Sequence, residues 1–476
     1  MKLIPTSKID KIKNSDIKKL YSDHVNKGLT QILSKFSYNK KLVKNAEGIY
    51  IKLSDNKKIL DVTGGIGVLN LGHNNTKILK ARINYQKKKK AEVYKLFFSP
   101  YLAVLSYNIS QLTEGNLKKV FLCNSGAEAN EAAMKLAYRY FDAKKKFILT
   151  SQNGFHGKLI ASGSISGNYS FKNKFPYFKF KNEFKVNDLN SLKRLEKKMK
   201  KNSFFGLIIE CYSASTLTRV NEKFMKEVFR LKKKYNFLVI FDEIYVGWGK
   251  TGYLFSYQKY NKFEPDIITF SKSFGGGKSS ISGYVANKKI FSKVYENVED
   301  SLLHTTTYNG FGEECITANE AINIIVNEKY HLKARSIEKD VKENFDILKK
   351  KHPDKIVALK GEGALFGIYL NEPFELISKL IQKIPFKFVK NKSEFISKLY
   401  VAAVSDVMFA KYNILCLFSQ GSLIQDSKKS PAFISFQPSL IIKKEETKYF
   451  FNSLNKVLSL KPTYLLLNFL KKILIN

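Results

Sequence analysis

Two short apolar runs, each stopping abruptly at a charged residue, constrain this 476-residue chain more than any other feature. The first, FLVIF from Phe237 to Phe241, ends at the acid pair Asp242 and Glu243. The second, DIITF from Asp266 to Phe270, ends just before Lys272. Between them lies a turn rich in glycine (Gly247, Gly249, Gly252), and Pro265 precedes the second run. Apolar runs of this length bounded by Gly and Pro read as buried strands. In open α/β sheets, function collects beyond the carboxyl ends of such strands. Two neighbouring strands would therefore present an acid and a lysine at one rim. Alone, an Asp at a strand end is a turn residue and a Lys in a lysine-rich chain is solvated, so the pairing must be judged with its flanks.

An acid and a lysine at one rim suit pyridoxal 5′-phosphate, which needs a lysine amine for its Schiff base and a carboxylate opposite its pyridinium nitrogen. The flanks agree: DEIYVGWGKTG…PDIITFSKSFGGG resembles the signature "DE…GfGRtG…PDi…aKslGgG" of the class III aminotransferases, within the fold-type I pyridoxal-phosphate family. The resemblance implies an α/β fold. A large domain would hold a mostly parallel seven-stranded sheet flanked by helices, beside a small α+β domain. Residues 1–75 would supply an N-terminal arm and a small-domain segment, 76–325 the large domain and 326–476 the C-terminal small domain. It also implies Lys272 as the tether and catalytic proton carrier, Asp242 as the ring-nitrogen partner, and a homodimer with the site at the subunit interface.

The rest of the chain supplies further matches in order. After the lysine-rich arm, GIYIKLSDNKKILDV predicts two short strands around the turn Ser54–Lys57. DVTGGIGVLNLGH matches the family's "D…G…lGH", and Gly64, Gly65 and Gly67 leave a bare wall that places Gly65 and Ile66 toward substrate. A helical stretch is predicted over about 76–115. VFLCN reads as a strand, and Ser125-Gly126 opens a helix with apolar positions at Ala129, Ala132, Ala133 and Leu136. Unpaired N–H groups at a helix start suit a phosphate. The near-consensus SGAEANEAAMKLA assigns Ser125, Gly126 and Ala127 that role by resemblance. Phe155-His156-Gly157 matches an aromatic-His-Gly triplet, implying that Phe155 stacks on the ring and His156 packs beside it. Glu210 matches the first glutamate of "EPvqgegG", and Thr307 aligns with a threonine that reaches the neighbouring subunit's phosphate.

Three departures bear on substrate. Ser435 stands where many relatives carry an arginine that clamps a substrate carboxylate, and Ser215 where they carry the glutamate that neutralises it. Losing one partner would strand the other's charge; losing both is coherent. Arg219 is the expected replacement, with Lys278 second. Tyr245 stands where relatives carry a glutamine bonded to the cofactor's phenolic oxygen, a bond a tyrosine hydroxyl can also donate. These departures favour a primary amine, diamine, ω-amino acid or aldehyde as one substrate and an amino acid or keto acid as the other.

Composition argues against other classes. The net charge of +41 is carried almost wholly by lysine, with only six arginines, and reads as a solvated surface more than a nucleic-acid interface. Four scattered cysteines without CxxC spacing argue against a metal or disulfide framework and suit a reducing cytoplasm. No apolar run has the length of a membrane span, although the tail YLLLNFLKKILIN is amphipathic. The basic stretch IQKIPFKFVKNKSEF reads as an insertion without chemistry. The competing readings are an aminomutase of the same fold and a non-catalytic basic protein that binds nucleic acid or a membrane surface.

Overall fold

A computed structural model describes residues 3–167, 175–371, 392–420 and 432–475. Near the N-terminus β1 (Val43–Glu47), β2 (Tyr50–Leu53) and β3 (Lys58–Asp61) form an antiparallel meander, with the Ser54–Lys57 turn where the sequence places it. The expected helix over 76–115 is two helices, Thr76–Lys87 and Pro100–Leu112. The four consecutive lysines from Lys87 repel one another, Ser99 caps the second helix and Pro100 fits its first turn, so the chain breaks between them.

The central sheet draws on β4 (Leu117–Cys123), β5 (Phe147–Ser151), β6 (Lys181–Phe184) and β7 (Phe204–Ile209). The two-residue strands β8 (Tyr212–Ser213) and β9 (Thr218–Arg219) then form a separate ribbon. The central sheet resumes with β10 (Leu238–Asp242), β11 (Ile267–Phe270) and β12 (Ser282–Asn287). Its seven strands run in the order β4-β12-β11-β10-β7-β5-β6, with β12 antiparallel to both neighbours and the other pairs parallel. Every residue of β7, β10 and β11 is buried, as a sheet covered on both faces requires. Asp242 pairs in register with Thr269 of the parallel neighbour, so the chains leaving β10 and β11 emerge at the same rim.

After the helix Tyr330–Lys351 the chain forms β13 (Ile356–Glu362), β14 (Leu365–Leu370), β15 (Ile414–Leu415), β16 (Leu417–Gln420) and β17 (Ala432–Phe436). Four of these make an antiparallel sheet, β13-β14-β17-β16. The remaining one, β15, pairs with β3 and so completes the N-terminal meander from the far end of the chain. Residues 381–391 of the basic insertion lie outside the described residues. The amphipathic tail is the helix Pro462–Ile475, which buries Leu465, Leu466 and Phe469 and packs on the helix Lys392–Tyr412. No helix among the described residues is long and apolar enough to cross a membrane.

Candidate active site

The helix Gly126–Tyr140 begins at the carboxyl rim of the central sheet. Its cap is reciprocal: the Ser125 hydroxyl accepts from the Glu128 N–H, and the Glu128 carboxylate accepts from the N–H groups of Asn124 and Ser125 at 2.9 and 2.8 Å. That leaves the N–H groups of Gly126 and Ala127 without a partner among the described residues, at the positive end of a helix dipole. Gly126 cannot carry a side chain, because a Cβ would sit 2.9 Å from Ile244. Both residues line a cavity of about 490 Å³, which also receives Phe155, Glu210, Asp242 and Lys272.

Asp242 is buried and held from three sides. One carboxylate oxygen accepts from Asn130 Nδ2 at 2.8 Å and faces His156 Nδ1 at 2.7 Å, while the other accepts from the Ile244 N–H at 3.1 Å. Asn130 is itself fixed, since its oxygen accepts from the Thr269 hydroxyl at 2.7 Å and its amide also donates to the His156 carbonyl at 2.9 Å. The chain β11–Asn130–Asp242–His156 thus sets the carboxylate rigidly at the cavity wall. The motif comparison does not single out Asn130. Its signal is an asparagine among buried helix positions that otherwise hold only alanine, methionine and leucine.

Lys272 follows β11 with φ of +51°, a left-handed conformation that lysine rarely adopts and that costs on the order of 1 kcal/mol or more. Its amine donates to the Ile66 carbonyl at 3.3 Å and lies 4.7 Å from the centre of the Tyr245 ring. Burial holds the Lys272 amine below the usual lysine range, with Asp242 opposing the shift. Opposite, Phe155 shows half of its surface to the cavity, and its N–H donates to Glu210 at 3.2 Å. Burial pushes Glu210 up to about 7, against the pull of His156.

Not every expected residue reaches this cavity. Ile66 lines it and Gly65 lies beside Ile66 with φ of +59°. Arg219 does not line it: its guanidinium is forked onto the Glu362 carboxylate and donates to the Ser256 carbonyl at 3.1 Å, so its donors are already committed. Lys278 is drawn away to the Asn74 side chain. Ser435 is buried within β17, opposite Gly367 of β14, and its hydroxyl has no hydrogen-bond partner among the described residues. Ser215 does line the cavity. The expectation for Tyr245 also changes, because its hydroxyl donates to the Gln437 side chain. Thr307 sits on the exposed surface, away from the cavity of its own chain. Besides Lys272, the cavity is lined by Lys158, exposed at the start of the segment after the aromatic-His-Gly triplet.

Comparison with known proteins agrees with this geometry. The sequence profile of the family "Aminotransferase class-III" matches residues 36–458. An acetylornithine aminotransferase of Prochlorococcus marinus subsp. pastoris is 30% identical over 339 residues, covering 70% of this chain and 79% of that protein. Among solved structures, a transaminase from the marine bacterium Virgibacillus superposes with a TM-score of 0.76 at 19% identity, covering 93% of this chain and 99% of that one. The ornithine aminotransferase of Toxoplasma gondii ME49 superposes with a TM-score of 0.73 at 17% identity, covering 94% and 95%. A match over nearly the whole chain, on a fold that brings Lys272 and Asp242 to one cavity, settles the family: the chain is a class III aminotransferase.

Proposed function

We propose that this transaminase works on pyridoxal 5′-phosphate held in the cavity of Lys272 and Asp242. The observation that carries the assignment of residues is the fit of the wall to that group. Two free N–H groups at a helix start suit its phosphate, an open aromatic face at Phe155 suits its ring, a rigid carboxylate suits its protonated nitrogen, and an amine suits its aldehyde. Bound there, the cofactor supplies an aldehyde that captures an amine and a ring that accepts the electrons of the substrate carbanion. Gly126 and Ala127 would hold the phosphate through their backbone N–H groups, Phe155 would lie against the ring, and Asp242 would keep the ring nitrogen protonated. Lys272 would tether the group through its amine and, when that amine is free, would carry a proton from and to the substrate carbon that bears nitrogen. Its lowered basicity serves this step, because a larger share of the amine is neutral near pH 7.

The walls at Ile66, Ala127, Phe155 and Ile244 are apolar, and no arginine lines them among the described residues. The substrate amine is accordingly a primary amine or amino acid with an apolar body, and the acceptor a keto acid or aldehyde. Lys158 is positioned to meet an acceptor carboxylate at the mouth. Replacing it, Lys158→Met, should raise KM for an acidic carbonyl acceptor about 3–10-fold and leave KM for a neutral aldehyde unchanged. Steady-state kinetics on both acceptors checks this, and an equal effect on the two would sink the assignment. A donor panel scored by loss of the cofactor's yellow absorbance then identifies the amine. Turnover without any acceptor would instead mark an amino shift within one molecule.

A homodimer completes the proposal. Leu96, Phe97, Phe98, Val298 and Leu302 stand 77–103% exposed, more apolar surface than a monomer usually leaves bare. The Gly312 N–H donates to the Glu92 carbonyl at 3.0 Å, which ties the chain before Leu96 to the chain after Leu302, and Thr307 in the latter is exposed. The double variant Phe98→Glu, Leu302→Glu should sediment at half the wild-type mass, because like charges would be buried against each other. An unchanged mass would place the interface elsewhere. The four cysteines are buried and unpaired, which supports a cytoplasmic setting.

A further inference from the structure

Tyr245 and Gln437 form an arrangement that neither the motif comparison nor the proposed chemistry requires. The Tyr245 side chain is half-buried at the cavity wall, and its hydroxyl is spent on the Gln437 side-chain oxygen. Gln437 is buried, and its own N–H donates to the Val62 carbonyl at 2.9 Å. The ring is backed by Gly67, at φ of +85°, where a Cβ would come within 2.9 Å of it. So the ring is held at its tip by Gln437 and at its face by a bare backbone. The amine of Lys272 lies 4.7 Å from its centre, within the range of a cation–π contact. A hydroxyl engaged in this way is not positioned for the cofactor's phenolic oxygen, so the tyrosine acts through its ring.

We infer that Tyr245, oriented by Gln437, is a positioning residue whose ring face seats the free amine of Lys272 between its release and its return. This rests on the assignment of Lys272 as the tether. The ring stabilises the protonated amine and gives it one defined resting place, in a cavity whose burial otherwise disfavours charge. The other ionisable groups around the amine are few. Asp242 bears on it from the end of β10, Lys250 from the turn beyond Tyr245 with Asp61 behind it, and Lys158, His156 and Glu210 line the same cavity. Among the described residues the amine's partners are the Ile66 carbonyl and the Tyr245 ring.

The test is the pH dependence of cofactor recapture. Protein stripped of cofactor is mixed with pyridoxal 5′-phosphate, and the rate at which the yellow band returns is followed from pH 5 to 10. Only the neutral amine attacks, so the midpoint of the profile reports the basicity of Lys272. Tyr245→Leu removes the ring and should move the midpoint about 0.5–1 unit toward acid. Tyr245→Phe keeps the ring but loses its bond to Gln437, and should move the midpoint toward acid by less than half as much as Tyr245→Leu. Gln437→Ala breaks the same bond and should match Tyr245→Phe. A Tyr245→Leu midpoint equal to wild type, or a Tyr245→Phe midpoint shifted as far as Tyr245→Leu, overturns the inference. Should Tyr245→Leu fail to fold, a Gln437→Ala midpoint equal to wild type overturns the latch. Wild-type protein that never regains a yellow band overturns the tether assignment instead, so the two failures are distinct.

Discussion

Lys272→Ala should leave a folded protein whose turnover is lower by about 10⁴-fold or more, because one side chain serves as both tether and proton carrier. The fold should survive. Among the described residues the amine makes one hydrogen bond, to the Ile66 carbonyl, and no ion pair. The backbone cost at φ of +51° is unchanged, since it arises from the Cβ that alanine keeps. Circular dichroism and thermal unfolding close to wild type, with turnover lost, are the expected pair of results. Unchanged kcat for any amine donor would contradict the assigned role.

The second large effect belongs to Asp242. Asp242→Asn keeps the size of the side chain but removes the charge opposite the ring nitrogen. It also puts an NH₂ donor where one carboxylate oxygen now faces Asn130 and His156, or where the other accepts from the Ile244 N–H. The expected loss in kcat is about 10²–10³-fold, the scale of removing one pre-oriented electrostatic partner. Cofactor should still be captured, because the helix start at Gly126 and the amine of Lys272 are untouched. Asn130→Leu should lower kcat in the same direction by a smaller factor, acting only through the orientation of Asp242. A kcat for Asp242→Asn within about threefold of wild type would mean that another group meets the ring.

Much of the fold was legible in short apolar runs. The strands at 238–242 and 267–270 and the helix start at Ser125 follow from local pattern and capping chemistry, and each fell where the chain's own chemistry required it. The meeting of Asp242 and Lys272 at one cavity was legible for the same reason, since a charge at the end of a buried strand has to serve a function or find a partner. What was not legible depends on contacts distant in sequence. Arg219 stood out as a cation near an absent carboxylate clamp, yet Glu362, 143 residues further on, takes its guanidinium. Gln437 carries no local signal, and it meets Tyr245 across 192 residues. β15 could not be assigned to the N-terminal meander by local pattern, because two residues carry no periodicity. Asn130 was readable only as a polar residue on an otherwise apolar helix face, and its partner became known only with the sheet.

Everything in the site converges on one bond, between the Lys272 nitrogen and the cofactor aldehyde. Reducing the purified yellow protein with borohydride and mapping its peptides by mass spectrometry reads that bond directly. A single pyridoxyl-phosphate tag on the peptide carrying Lys272 is the predicted result; a tag on another lysine, or none at all, would contradict it.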